Sequence, residues 1–211
     1  MLFRSAGDAP GGSAAAQATA DRPVTVVFCD IRSFTAISER YPQEAVELLT
    51  RFYEAGDRAA RERGTELDKY VGDEIMLYFF DRPPRRFGRS SAAEEPHPLR
   101  AVRWAKDMLT AAQEIDGSGL AGDIGFRIGI GIATGVAREG LIGVKGRVQN
   151  TVIGDVVNTA SRLQDATKDV GRPILMNEAA ADAVAGQVTV EALGQIAIRG
   201  KAGEQAVFTV R

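Results

Sequence analysis

The chain has 211 residues, enough for one domain with a substantial core and too few for two large ones. Its formal net charge of −2 gives no electrostatic reason to expect nucleic acid or an anionic membrane as a partner. No apolar run reaches the roughly 20 residues that span a bilayer, the first residues lack the pattern of a secretory signal, and a single cysteine, Cys29, excludes an intrachain disulfide. Together these features predict a cytoplasmic protein without a membrane segment.

Small and polar residues dominate the start of the chain, and we interpret residues 1–22 as a disordered leader or the remnant of a linker. Residues 23–211 are predicted to form one folded domain. Its first element is a strand over 24–29, because this β-branched and almost wholly apolar run is typical of a central strand buried on both faces. The strand ends at Asp30, and a turn leads from there into a helix.

Apolar residues at helical spacing predict one helix over 42–63 and another over 99–115. Between them, a turn containing Gly72 joins two short strands around 65–70 and 74–80. Residues 81–98 contain four prolines and four arginines and are interpreted as an exposed loop. The remaining predicted elements are a glycine-rich strand at 126–134, a helix at about 156–166, a short strand near 174–176, an alanine-rich helix and a terminal hairpin.

The order strand, helix, strand, strand, helix, strand predicts an α+β fold with a ferredoxin-like core (βαββαβ), extra helices and a C-terminal hairpin. In that topology the first and third strands are antiparallel neighbours, so Asp30 and Asp73 should meet at one edge of the sheet. Each aspartate alone could simply end a strand. Two ionised carboxylates side by side repel each other unless cations lie between them, and their hard oxygens suit Mg²⁺. The sequence therefore predicts a metal site there.

Three segments carry a family resemblance: FCDIRSFT at 28–35, LDKYVGDEIM at 67–76 and TVIGDVVNTASR at 151–162. They resemble the catalytic motifs of class III adenylate and guanylate cyclases, and the resemblance covers about 23–211. It implies the class III nucleotidyl cyclase fold and the conversion of ATP to 3′,5′-cyclic AMP and pyrophosphate with two divalent cations, Mg²⁺ or Mn²⁺. The roles it implies are metal binding by Asp30, Asp73 and the carbonyl of Ile31, phosphate binding by the turn reaching Phe34 and Thr35, ribose orientation by Asn158, and transition-state stabilisation by Arg162.

The same resemblance bears on the choice of nucleotide. Lys69 matches the lysine that adenylate cyclases use to recognise adenine, and Thr151 takes the partner position, where many of them have aspartate. A threonine oxygen can accept a hydrogen bond from the adenine amino group. Relatives with this threonine are often activated by bicarbonate, which is expected here too. Where the family has a triphosphate-binding lysine followed by glycine, this chain has Arg199 before Gly200, so either Arg199 or Lys201 is expected to contact the triphosphate.

The family resemblance also implies a homodimer, because one catalytic domain supplies the metal aspartates and its partner supplies the base-recognition and transition-state residues. Four alternatives stay open: a guanylate or pyrimidine nucleotide cyclase, a diguanylate cyclase, a non-catalytic nucleotide-binding regulatory domain of cyclase type, and a purely structural ferredoxin-like module. Lys69 argues against GTP as the substrate. A diguanylate cyclase is disfavoured because this chain lacks the first glycine of the diguanylate cyclase signature, ahead of Gly72. The single histidine, His97, is interpreted as structural or exposed, and Cys29 as a buried strand residue.

Overall fold

The computed structural model describes residues 18–65, 67–81, 95–144, 147–198 and 203–211. These residues form one mixed sheet of eight strands with helices on both faces. In chain order the elements are β1 (Ala18–Ile31), α1 (Phe34–Arg40), α2 (Pro42–Glu62), β2 (Leu67–Val71), β3 (Glu74–Phe79), α3 (His97–Gly117), β4 (Ile128–Val144), β5 (Arg147–Ile153), α4 (Asp155–Val170), β6 (Ile174–Asn177), α5 (Glu178–Val184), β7 (Val190–Ala197) and β8 (Glu204–Val210).

The strand order is β2-β3-β1-β4-β6-β8-β7, and β5 pairs with β4 outside this series. Strand β1 is antiparallel to both β3 and β4, while β6 runs parallel to β4. The four strands β2-β3-β1-β4 are therefore the predicted ferredoxin-like core, which confirms the fold class. The strands after them extend the sheet at one edge.

Strand β1 is buried on both faces, as its sequence predicts. Val26 and Phe28 belong to the apolar cluster beneath α4, whereas Val27 and Cys29 belong to the larger cluster beneath α2 and α3. The strand begins at Ala18 rather than at Val24, because β4 is long enough to pair with the polar residues that precede the apolar run. The burial of Cys29 agrees with its predicted packing role.

Strand β4 continues far beyond the predicted end at residue 134 and returns as β5, so that a long β-hairpin precedes α4. The sequence reading missed this hairpin because its residues lack a clean alternation of apolar and polar positions. Four of its apolar side chains are exposed in the single chain: Val136, Leu141, Ile142 and Ile153. The described part of the hairpin therefore leaves apolar side chains open to solvent in the single chain.

Helix α4 lies close against the sheet because glycine occupies the contact point. A Cβ atom at Gly131 would come under 3.0 Å from backbone atoms of Ala160 and Gln164. The helix buries Val156, Ala160 and Leu163 in the cluster it shares with β1. Its exposed face is left free to carry polar side chains, among them Asn158.

The predicted loop over 81–98 needs a correction at its end, because α3 already begins at His97. Residues 82–94 of that prediction lie outside the described residues. His97 is buried, with 6% of its surface exposed, and its Nδ1 forms a 2.7 Å hydrogen bond with Thr25 Oγ1. His97 is therefore a structural residue, which was one of the two interpretations of its sequence position, and it is not exposed. No helix in the described ranges is long and apolar enough to cross a membrane.

Candidate active site

Asp30 and Asp73 come together at one edge of the sheet, as the strand order predicts. Asp30 pairs with Glu74, the residue after Asp73, and the Ile31 amide donates a 3.3 Å hydrogen bond to the Asp73 carbonyl oxygen. Burial, followed by the charge and hydrogen bonding of the Asp73 carboxyl, raises the pKa of Asp30 to about 6. The two carboxyl groups therefore lie close enough to resist being ionised together.

The cations near this pair, Lys168 and Arg32, do not offset its buried negative charge. The Nζ atom of Lys168 lies 3.9 Å from Asp30 Oδ2, but this lysine is 54% exposed and compensates only weakly. Burial, and then the charges of Asp30, Asp165 and Asp73, raises the pKa of Glu74 to about 7. A divalent cation would relieve both shifts, so the residues present fit the metals that the family resemblance implies.

The oxygen ligands that the protein offers also suit Mg²⁺ or Mn²⁺, whose remaining ligands come from outside the protein. Within the described ranges, no three histidine, cysteine or acidic side chains converge on a metal-sized point. The protein would therefore supply the two carboxylates, with the carbonyl of Ile31 as a further oxygen, and leave the other positions to phosphate and water. This is the usual way in which proteins bind Mg²⁺.

The turn after Asp30 is held in a fixed shape. Ser33 has a left-handed backbone with φ of 58°, and the Arg32 amide donates a 2.7 Å hydrogen bond to the Arg127 carbonyl oxygen. The turn ends in α1, where Phe34 packs against the core and Thr35 is exposed. Thr35 is therefore accessible, but phosphate binding by Phe34 and Thr35 stays a prediction.

A basic cleft of about 580 Å³ opens beside this turn, between α3 and the end of α4. Its lining includes four cationic side chains: Arg32, Arg127, Lys168 and Arg172. Sequence reasoning missed the cleft, because its residues come from four separate segments of the chain. Arg127 immediately precedes Ile128, which pairs with Ile31 beside the first predicted metal ligand, but this register is visible only in the structure.

Lys69 and Thr151 are brought together, although β2 and β5 are not neighbours in the sheet. Lys69 Nζ lies 3.5 Å from Thr151 Oγ1, and both groups contact Asp68. A second tether is the 3.1 Å hydrogen bond from Gln149 Nε2 to the Asp68 carbonyl oxygen. The two predicted base-recognition residues therefore form one cluster within a single chain.

Asn158 and Arg162 lie one turn apart on α4, and Asn158 is exposed. The same helix ends near Asp30 through Lys168, ten residues after Asn158. At about 1.5 Å per residue, Asn158 lies roughly 15 Å along the helix from Lys168. Within one chain, the metal-side residues and Asn158 are thus at different ends of α4. Arg199 and Lys201, the predicted triphosphate contacts, lie outside the described residues.

Known proteins match both the sequence and this arrangement. The family model of the adenylate and guanylate cyclase catalytic domain matches residues 16–211. An adenylate cyclase of Anabaena cylindrica is 35% identical over 162 residues, which are 76% of this chain and 30% of that protein. The adenylyl cyclase CyaB from P. aeruginosa superposes with a TM-score of 0.77 at 28% identity, covering 93% of this chain and 95% of that one. The guanylyl cyclase Cya2 gives 0.76 at 25% identity, covering 92% and 94%.

The shared fold, with its carboxylate pair at the end of β1, is that of a class III nucleotidyl cyclase. The chain belongs to the adenylate and guanylate cyclase catalytic domain family. It spans only 30% of the length of the Anabaena relative and 27% of a second one, an adenylate cyclase from Rhizobium meliloti.

Proposed function

We propose that this domain is an adenylate cyclase that converts ATP to 3′,5′-cyclic AMP and pyrophosphate at two sites shared across a homodimer. The ribose 3′-oxygen attacks the α-phosphorus, and the bond from that phosphorus to the oxygen bridging it to the β-phosphate breaks. Pyrophosphate leaves with the bridging oxygen, and the hydroxyl proton passes to water. Because little covalent chemistry falls to the protein, catalysis depends on positioning and charge.

Asp30, Asp73 and the Ile31 carbonyl would hold the two divalent cations of one site. When bound, these ions supply the charge that lowers the pKa of the 3′-hydroxyl and neutralises the leaving phosphates. Arg127 and Lys168 support the same end of the substrate, since both line the cleft beside the turn that follows Asp30. They would attract the terminal phosphates and the departing pyrophosphate.

The partner chain would supply the other half of each site. Its Lys69 and Thr151 would contact the adenine, its Asn158 would orient the ribose, and its Arg162 would stabilise charge on the α-phosphate. Loss of an arginine that acts in this way costs on the order of 10³–10⁵ in rate in other phosphoryl-transfer enzymes. We therefore expect Arg162→Ala to remove nearly all turnover.

The observation that carries the homodimer is the separation along α4. The ribose and the α-phosphate must lie within a few ångströms of both Asp30 and Asn158, yet about 15 Å of helix separates Asn158 from the lysine beside Asp30. A two-fold arrangement joins the metal end of one chain to the Asn158 end of the other, and builds two equivalent sites. The apolar residues exposed on the β4–β5 hairpin support a partner chain that packs against this hairpin.

Complementation tests the proposal. Asp30→Ala and Asn158→Ala chains should each be nearly inactive, but an equal mixture should regain about a quarter of wild-type activity. Half of the randomly formed dimers are mixed, and each mixed dimer holds one intact site of two. A double variant carrying both changes is the control, because mixing it with Asp30→Ala restores no site. Shared-site catalysis is wrong if the first mixture stays as inactive as its parents.

Guanylate cyclase is the second candidate, favoured by the similarity to Cya2. Product analysis with ATP, GTP, CTP and UTP, each with Mg²⁺ and with Mn²⁺, decides between them, and we expect cyclic AMP as the main product. Bicarbonate activation, which rests on the threonine at position 151, is a separate proposal. It is tested by varying bicarbonate at fixed pH, and an unchanged rate would remove it.

A further inference from the structure

Asp68 is a buried acidic residue that the proposed reaction does not yet use. Its side chain is 0% exposed, its Oδ2 accepts a 3.0 Å hydrogen bond from Thr151 Oγ1, and Lys69 Nζ lies 3.1 Å from the same oxygen. The other oxygen, Oδ1, is buried without a hydrogen-bond partner among the described residues. A buried carboxylate with an unmet acceptor is costly, so its place beside the base-recognition pair calls for a functional reason.

A local irregularity in β2 explains how two successive side chains reach the same neighbour. Leu67 pairs with Leu77 and Lys69 pairs with Met76, so Asp68 is an extra residue in β2, as in a β-bulge. Bulges change the direction of a side chain next to the ladder, and they are common beside active sites. Asp68 and Lys69 can therefore both contact Thr151.

The hydrogen-bond chemistry of the cluster is directional. A carboxylate beside an ammonium group accepts hydrogen bonds and donates none, so the single hydroxyl proton of Thr151 is committed to Asp68. The oxygen of Thr151 is then left as an acceptor, next to the N–H donors of Lys69. On the Watson–Crick edge, adenine offers an amino donor beside the N1 acceptor. Guanine offers the reverse, a carbonyl acceptor beside an N1–H donor, so the fixed cluster matches adenine and opposes guanine.

We propose that Asp68 is a positioning residue for purine selection, which acts by holding the Thr151 hydroxyl in its acceptor orientation. The inference rests on the proposed function, because it places the base against Lys69 and Thr151. Without the carboxylate, the hydroxyl can rotate and donate to a 6-oxo group, so discrimination against guanine and hypoxanthine bases weakens. Gln149 still ties β5 to β2 through the Asp68 backbone, so the cluster keeps its scaffold when only the side chain changes.

The test is Asp68→Asn, which keeps the shape of the side chain but adds an amide that can donate to Thr151. We expect the ratio of kcat/KM for ATP to that for ITP, whose base is 6-oxo with an N1–H, to fall on the order of tenfold, the size of one directed hydrogen bond. Asp107→Asn is the matched control, because Asp107 also pairs with a cation, Arg63, but lies away from the cluster. Its ratio should equal that of the wild type.

A double-mutant cycle with Thr151→Val separates positioning from a general structural effect. If Asp68 acts through Thr151, Asp68→Asn changes the ATP-to-ITP ratio much less once the hydroxyl is gone. Should Asp68→Asn not fold, the smaller Asp68→Ser carries the same comparison. An unchanged ratio, or equal losses with both nucleotides together with a lower melting temperature, would overturn the inference.

A binding assay keeps this result distinct from the fate of the cyclase proposal. ATP and ITP are compared as competitors against a fluorescent ATP analogue, in wild-type protein and in Asp68→Asn. If the wild type forms no cyclic nucleotide, the proposed function fails, yet a shift in the binding ratio still supports the role of Asp68. If the wild type turns over ATP and the ratio does not shift in either assay, only the role of Asp68 fails.

Discussion

Gly131 offers a sharp test of how the sheet positions α4. A Cβ atom built there would lie 2.9 Å from the Cα of Gln164 and closer still to the Ala160 carbonyl oxygen and the Gln164 amide nitrogen. All three are backbone atoms, so no rotamer change can relieve the contact, and α4 must retreat by on the order of 1 Å. We expect Gly131→Ala to cost about 1–3 kcal/mol of unfolding free energy, measured by urea denaturation.

The effect on turnover should exceed the effect on stability. Asn158 and Arg162 flank Ala160 on α4, and a misplacement of about 1 Å can cost on the order of 10²-fold in rate. Gly56→Ala is the control, because its Cβ would meet side-chain atoms alone, the nearest being the Cδ1 of Ile75 at 2.7 Å, and alanine favours the helix that holds it. If Gly131→Ala is as stable and as active as Gly56→Ala, the close seating of α4 on β4 is not what aligns its catalytic side chains.

Two further predictions concern charge. In the absence of nucleotide, Lys168→Met should tighten Mn²⁺ binding about two- to five-fold, because a half-exposed ammonium group 3.9 Å from Asp30 no longer repels the metal. Electron paramagnetic resonance of free Mn²⁺ measures the affinity. The control is Lys106→Met, on the exposed face of α3, which should leave the Mn²⁺ affinity unchanged. Burial lowers the pKa of His97 beneath its ordinary value of about 6.5, so the unfolded chain takes up the proton first as the pH falls. The contribution of His97 to stability should therefore be lost as the pH falls below about 6.5, by at most about 1.4 kcal/mol per pH unit, whereas the raised pKa values of Asp30 and Glu74 act in the opposite direction. In urea denaturation, the stability of His97→Gln relative to the wild type should therefore rise as the pH falls, and an identical pH dependence of the two proteins would contradict this role.

The convergence of Asp30 and Asp73 could be predicted because it depends only on strand order. The apolar run of β1 and the glycine turn before β3 are local signals, and a ferredoxin-like order then makes the two strands antiparallel neighbours. Helices α2 and α4 were equally clear, since each repeats its apolar residues at helical spacing. Local periodicity therefore sufficed to predict the strands and helices, and one rule of topology sufficed to predict that the two aspartates meet.

The role of Asp68 and the basic cleft could not be read in the same way. Asp68 looks like an ordinary strand residue until β2 is found to carry an extra residue and β5 is found beside it. Arg127 and Lys168 are 41 residues apart in the chain, and only the packing of α4 against the start of β4 brings them into one cleft. Side-chain direction at a bulge and contacts between distant segments are tertiary properties, which local patterns do not encode.

The distribution of charge explains why a net charge of −2 says little about the ligand. Around Asp30 and Glu74 the protein holds surplus negative charge, which burial makes costly enough to raise both pKa values. Beside the turn that follows Asp30, Arg127 and Lys168 line a cleft rich in positive charge. A divalent cation suits the first region and an anion suits the second, so the ligand that satisfies both at once is a metal-bound polyphosphate. The two regions together therefore favour a nucleoside triphosphate with its ions over a free metal or a free anion.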